Sequence, residues 1–169
     1  MNLATIAPLS VLGEVMEQLP RGAFLTVKHK NHVNTMTIGW ALAGVVWSKP
    51  VFTVLVRPVR HTFKLIEQET DFTISVPLKG TLAKELGYCG SHSGSAVDKI
   101  AECGFALTSV AGCHAPILAF PGLHFACKTM LRAPMNPDLM DPSIASVYPQ
   151  KDYHTFYHGE IIGAWRVEA

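Results

Sequence analysis

The chain has 169 residues, enough for a single domain (1–169) with a sizeable core. Apolar residues make up 49% and charged residues only 16%, so more surface than usual is neutral or covered, by a larger core or by a second copy in a homodimer. A net charge of +1 without a basic run argues against a nucleic-acid partner, and no apolar run approaches the roughly 18 residues of a membrane span.

The first residues, Met1 to Pro8, lack a positive start and Glu14 interrupts the segment beyond them, so no signal peptide is expected. Ser10 to Leu19 places Val11, Leu12, Val15, Met16 and Leu19 on one helical face, closed by Pro20. The period then changes. Ala23–Lys28 reads as a strand, His29–His32 as a polar turn and Val33–Trp40 as a second strand, which Ala41–Val46 continues or bends through Gly44. Val51–Val56 is strongly β between Pro50 and Pro58.

Thr62–Glu69 reads as a short helix, Asp71–Val76 as a strand, and Thr81–Leu86 as a helix closing at Gly87. A polar loop, Gly90 to Gly94, leads to a further helix with Ser95 and Asp98 in capping-box spacing and Gly104 as its stop. Strands are expected near Leu107, over Phe125–Leu131 and over His154–Val167. Between the last two, Ala133–Gln150 carries four prolines, and a connection this long suits a lid, an interface arm or a mobile loop. Many short strands with few helices imply an α+β domain around an antiparallel barrel rather than a doubly wound α/β sheet. No G-x-G-x-x-G or G-x-x-x-x-G-K run supports a Rossmann or P-loop site.

Cys89, Cys103, Cys113 and Cys127 form no C-x-x-C pair, and reduced, mostly buried thiols in a cytoplasmic protein are expected. Four segments can carry chemistry. Arg57 to Thr62, at a strand-to-helix junction, suits a phosphate: Arg60 can grip it and the Thr62 hydroxyl can cap and donate, although a plain capped helix uses the same residues. Ser91 to Ser95 before Lys99 offers hydroxyls, a glycine and a cation, and reads equally as a surface loop. Asn34 to Trp40 puts Asn34, Met36, Ile38 and Trp40 on one strand face with Thr35 and Thr37 on the other, which suits a flat ring or an ordinary barrel strand. His154 and His158 share a strand face, and a metal there, with Cys89 or His92 imagined as further ligands, is the weaker reading; no metal is expected.

In this order the segments resemble the flavin-reductase-like, FMN-binding split-barrel family, particularly its flavoredoxin branch. The resemblance runs through Val33–Trp40, Trp47–Pro50, Val54–Thr62, Phe72–Pro77, Ser91–Gly94 with Asp98–Lys99, and His154 before Gly159–Glu160–Ile161. It implies a homodimer of six-stranded Greek-key split β-barrels with peripheral helices and FMN near the dimer interface. It also implies that Asn34, Thr35, Met36 and Thr37 line the flavin ring with Trp40 packed nearby. Arg57, Arg60, Thr62, Ser91, Ser93 and Lys99 would hold the phosphate, and His154 would stand beside flavin and nicotinamide. His61 stands where the family commonly has tyrosine. The activity implied is electron transfer from NADH or NADPH through FMN to flavin or another acceptor. An electron carrier fed by a redox protein partner, or a non-catalytic split-barrel binding module, remains open.

Overall fold

The computed structural model describes residues 2–168. After a two-residue strand β1 (Ala4–Thr5), 3-10 turns at Pro8–Val11 and Leu19–Arg21 flank helix α1 (Leu12–Gln18). Val11, Val15 and Leu19 are buried at four-residue spacing, whereas Met16, expected beside them, is exposed.

Strands β2 (Ala23–His29) and β3 (His32–Ile38) form a hairpin about Lys30–Asn31. The strand then ends, and Gly39–Trp40 lies in neither strand. Ala41–Val46 is therefore no continuation of β3; it is a separate strand, β4, paired with β5 (Lys49–Val56) through a turn in which Trp47 and Ser48 both have positive φ. That backbone matches the twist of a two-residue hairpin at a steric cost to non-glycine residues. Helix α2 (His61–Ile66) and strand β6 (Asp71–Pro77) come next. Helix α3 (Ala83–Ser91) starts later and runs longer than its sequence implied, carrying Gly87 and Gly90 within it. Its tertiary contact with β3 offsets the helix-weakening glycines. Helix α4 (Lys99–Glu102) is capped by Asp98 alone, whose carboxylate accepts from the Ile100 and Ala101 N–H groups; Ser95 takes no part. Two short strands, β7 (Leu107–Thr108) and β8 (Ile117–Leu118), pair with each other, and two 13-residue strands, β9 (Gly122–Pro134) and β10 (Thr155–Val167), complete the fold.

The main sheet has eight strands where the resemblance implied six. Its order is β3-β2-β6-β9-β10-β5-β4, with β1 attached to β10, and every pairing is antiparallel. The two ends of that order, β3 and β4, are consecutive in sequence and joined only by Gly39–Trp40. The open edges of the sheet thus meet at this joint, and the barrel is split there. Alternation explains the filling: Leu25, Val27, Phe52, Val54, Phe72, Ile74, Phe125 and Cys127 point inward to one core. Phe24 points outward from β2 and meets Leu86, Cys89, Leu118 and Phe120 beneath α3. The register of β10 on β9 shifts at His158/Gly159, where an added Cβ would lie 2.6 Å from the Phe72 ring. Only glycine fits that bend.

The 133–150 connection is not structureless. It carries 3-10 turns at Pro137–Leu139 and Pro142–Val147, whose first N–H groups are held by the side chains of Asn136 and Asp141. Among the described residues no helix is long and apolar enough to cross a membrane, and the four cysteines are free thiols.

Candidate functional site

A groove opens at the split. Its wider end, about 390 Å³, lies along β3 and the Gly39–Trp40 joint, with Leu55, Arg57, Arg60 and His154 opposite. Its narrower end, about 100 Å³, lies among Thr62, Ser91, Ser93, Gly94 and Lys99. Met36 and Arg60 line both ends, so the two form one continuous depression. A separate open cleft of about 450 Å³ lies between α1 and α3, but its only cationic lining residue is Arg21.

Ten of the twelve residues singled out from the sequence line this groove. Met36, Thr37, Trp40, Arg57, Arg60 and His154 stand at the wide end; Thr62, Ser91, Ser93 and Lys99 stand at the narrow one with Met36 and Arg60 again. Two do not line it. The fully buried Thr35 hydroxyl donates to the Leu25 carbonyl and meets Thr26, because at its register it points across to β2. Asn34 is buried as well, and its Nδ2 donates to Thr62 Oγ1 at 2.7 Å. It acts behind the wall, fixing the hydroxyl that lines it. Arg57 also departs from expectation. It sits at the wide end, where Nη1 donates to both Asp152 oxygens at 3.0 Å, instead of joining the phosphate-type donors. The hydrogen bond from Arg57 is the main reason the Asp152 carboxyl is held below its usual range.

The narrow end is lined mainly by hydrogen-bond donors. Thr62 is the second residue of α2 and does not cap it, contrary to the sequence reading. Its oxygen accepts from Asn34, while its own hydrogen finds no acceptor among the described residues. Lys99 is buried, its ammonium donates to the Cys89 and His92 carbonyls at 3.2 Å each, and burial lowers its pKa. Two of its three hydrogens are thereby used. Arg60 reaches from above, donating weakly to the Gly90 carbonyl at 3.4 Å. Gly94 closes the rim so tightly that an added Cβ would fall 1.8 Å from Asn34 Oδ1.

The wide end is built differently. Strand β3 pairs only with β2, so alternate backbone N–H and C=O groups face away from the ladder. Trp40, 49% exposed, leaves the strand alternation at the β3–β4 joint and stands with its ring 5.1 Å from that of His154. His154 is buried, and burial, then the nearby Arg57 charge, pushes its pKa down to about 4. Its Nδ1 lies 2.8 Å from the Tyr148 hydroxyl. Arg57 covers the Tyr148 ring at 5.1 Å and donates to the Val147 carbonyl.

Sequence reasoning misses Tyr148 and gives Asp152, at the head of the His154 segment, no role. The signal there is an aromatic-acidic cluster, Tyr148, Asp152 and Tyr153, ending the proline-rich stretch. His158 is turned to the Thr53 hydroxyl at 2.8 Å, and no group of three or more metal-type ligands assembles among the described residues.

The comparisons agree with this architecture. The model of the family described as flavin reductase like domain matches residues 16–169. Solved structures similar to the chain include a flavoredoxin from Methanosarcina acetivorans, with TM-score 0.68 and 25% identity over 87% of this chain and 68% of that one. An FMN-binding domain of a flavin reductases-like enzyme from Shewanella baltica gives 0.66 and 24% over 98% and 77%. An NADH:FAD oxidoreductase from Streptomyces globisporus gives 0.66 and 20% over 99% and 88%. No curated protein matches. With a family model spanning nearly the whole chain and an antiparallel barrel open at the β3–β4 joint, this protein belongs to the flavin reductase-like family of FMN-binding split barrels.

Proposed function

We propose that the chain is an oxidoreductase that holds FMN along this groove and passes electrons from NADH or NADPH to flavin or another acceptor. The observation that carries the reading is the continuity of the groove. One end offers an open strand edge with Trp40, and the other offers Thr62, Lys99 and Arg60. A ring with an anionic tail is the ligand shape that such an arrangement suits.

The residues fit the cofactor at both ends. Thr62 would donate its unpaired hydrogen to the phosphate, with Lys99, Arg60 and the Ser91 and Ser93 hydroxyls around it, while Asn34 holds Thr62 in place. The free edge of β3 would meet the polar rim of the ring, and Met36 would cover its joint with the tail. Bound flavin supplies the redox chemistry; the chain supplies orientation, a cationic surround and exclusion of water. His154, neutral at working pH, would offer a hydrogen bond there and not a proton. No residue needs to act as a strong acid.

The purified protein tests this directly. A yellow protein whose oxidised flavin band bleaches anaerobically with NADH or NADPH supports the enzyme. A flavin-loaded protein that stays oxidised under excess donor turns the reading toward an electron carrier fed by a redox protein. A colourless protein that ignores added FMN ends it.

The chain further reads as one half of a homodimer. The outer residues of the edge strand β4 and its turn, Leu42, Val45, Val46 and Trp47, are 41–62% exposed. An apolar cleft of about 440 Å³ between Leu42 and Phe156 adjoins the groove at Trp40. A flat apolar edge of this kind calls for cover.

A further inference from the structure

We infer that Tyr148 is a positioning residue of the wide end: its phenol donates to His154 Nδ1 and fixes the imidazole as the Nε2–H tautomer, so that a neutral donor faces the groove. The inference rests on the flavin reading above only for what that donor meets.

The direction of the bond is set by what each partner has left. The Tyr148 hydroxyl lies 2.8 Å from Nδ1 and has no other partner among the described residues, and the residue is buried. Were Nδ1 to donate instead, the phenolic hydrogen would be stranded in that buried place, which native structures avoid. With the phenol donating, both atoms are satisfied and the remaining N–H belongs to Nε2. That nitrogen makes no hydrogen bond within the described residues, and His154 is part of the groove wall. The surroundings hold the pair still. Arg57 lies over the Tyr148 ring at 5.1 Å, is pinned by Asp152, and Tyr153 packs on Tyr148 with ring centroids 5.1 Å apart. The Arg57 cation only partly offsets the burial that pushes the Tyr148 phenol's pKa up, so the phenol stays protonated and able to donate. The same cation opposes a second positive charge on the imidazole, as Arg60 does, while Asp152 favours it; burial and the arginines prevail.

A neutral N–H suits an uncharged acceptor. The group it recognises is a carbonyl or amide oxygen, on the flavin ring or on a second ligand lying over it, and not a phosphate. The 133–150 arm thereby gains a role, since it carries the residue that aims this donor.

The test is a ¹⁵N NMR measurement of the His154 ring in flavin-free and FMN-loaded protein, beside Tyr148→Phe. Wild type should show Nε2 protonated and Nδ1 bare, by roughly tenfold or more for one buried hydrogen bond. Tyr148→Phe, with its other amide resonances in place, should fall to a mixture of tautomers. If the donor meets the flavin ring, the FMN-loaded variant should also have a more negative flavin potential, because that donor has lost its aim. An Nδ1–H tautomer in wild type, or a ring unchanged in a folded Tyr148→Phe protein, overturns the inference. Because the flavin-free protein reports the tautomer by itself, failure to bind FMN sinks the functional reading and leaves this one standing.

Discussion

Replacing Thr62 by valine removes one hydroxyl and almost no volume, and the structure assigns that hydroxyl two tasks. It accepts from Asn34 Nδ2 at 2.7 Å, and its hydrogen is free at the narrow end of the groove. The loss therefore splits into two measurable parts. Asn34 is left as a buried, unpaired donor, which costs about 1–3 kcal/mol of stability. For a domain of this size that lowers Tm by about 2–4 °C per kcal/mol. A hydrogen bond to a charged oxygen contributes about 1.5–3 kcal/mol, so FMN affinity should fall roughly 10- to 150-fold. Fluorescence titration of wild type and Thr62→Val with FMN, and with riboflavin as the same ring and chain without phosphate, separates the parts. Riboflavin should bind both proteins alike. If FMN and riboflavin weaken together, or if neither changes, Thr62 does not meet the phosphate and the orientation proposed for the ligand is wrong.

Gly94→Ala should displace Asn34 and weaken FMN by at least roughly tenfold in the same titration, given a Cβ placed 1.8 Å from Asn34 Oδ1. Gly87→Ala is the control: nothing lies within 4 Å of its Cβ, and losing a helical glycine should leave Tm unchanged or raised. His124, wholly buried between Ser75 and the Phe120 carbonyl, has its pKa pushed down to about 4 by burial. The unfolded chain takes up that proton near pH 6.5, so the His124 contribution to stability should be full above that pH and fall by about 3 kcal/mol on acidification to pH 4, with His154, depressed likewise, adding to the same slope. Urea melts across that range check it, and His124→Gln should flatten the slope. Leu42→Asp with Val45→Lys should halve the particle mass seen by light scattering if β4 is the dimer contact; an unchanged mass places the contact elsewhere.

Strand placement was legible from β-branched and aromatic runs bounded by proline and turn residues, such as Val51–Val56 between Pro50 and Pro58; period alone says less, because Ala23 to Val27 is buried on both faces. Helix limits were less so. Gly87 reads as a stop, yet α3 runs through it because packing on β3 outweighs the roughly 1 kcal/mol a glycine costs. The separation of β4 from β3 was hidden too, since Gly39–Trp40 breaks a pattern that local sequence presents as unbroken. At the groove, residue types carried the anion end, where hydroxyls and a lysine stand close in sequence. They could not reveal that Asn34 and Thr35 turn behind the wall, which depends on register with β2. Nor could they reveal Tyr148, whose partner His154 only meets it because the arm folds back.

The joint between β3 and β4 has an evolutionary consequence. A ligand read by a bare strand margin is read by atoms that every residue except proline owns. Side chains along that margin are then free to drift without erasing recognition, whereas a proline inserted there would silence it at once. If the groove holds FMN as proposed, chains that share barely a quarter of their letters can keep one cofactor in one place on these terms.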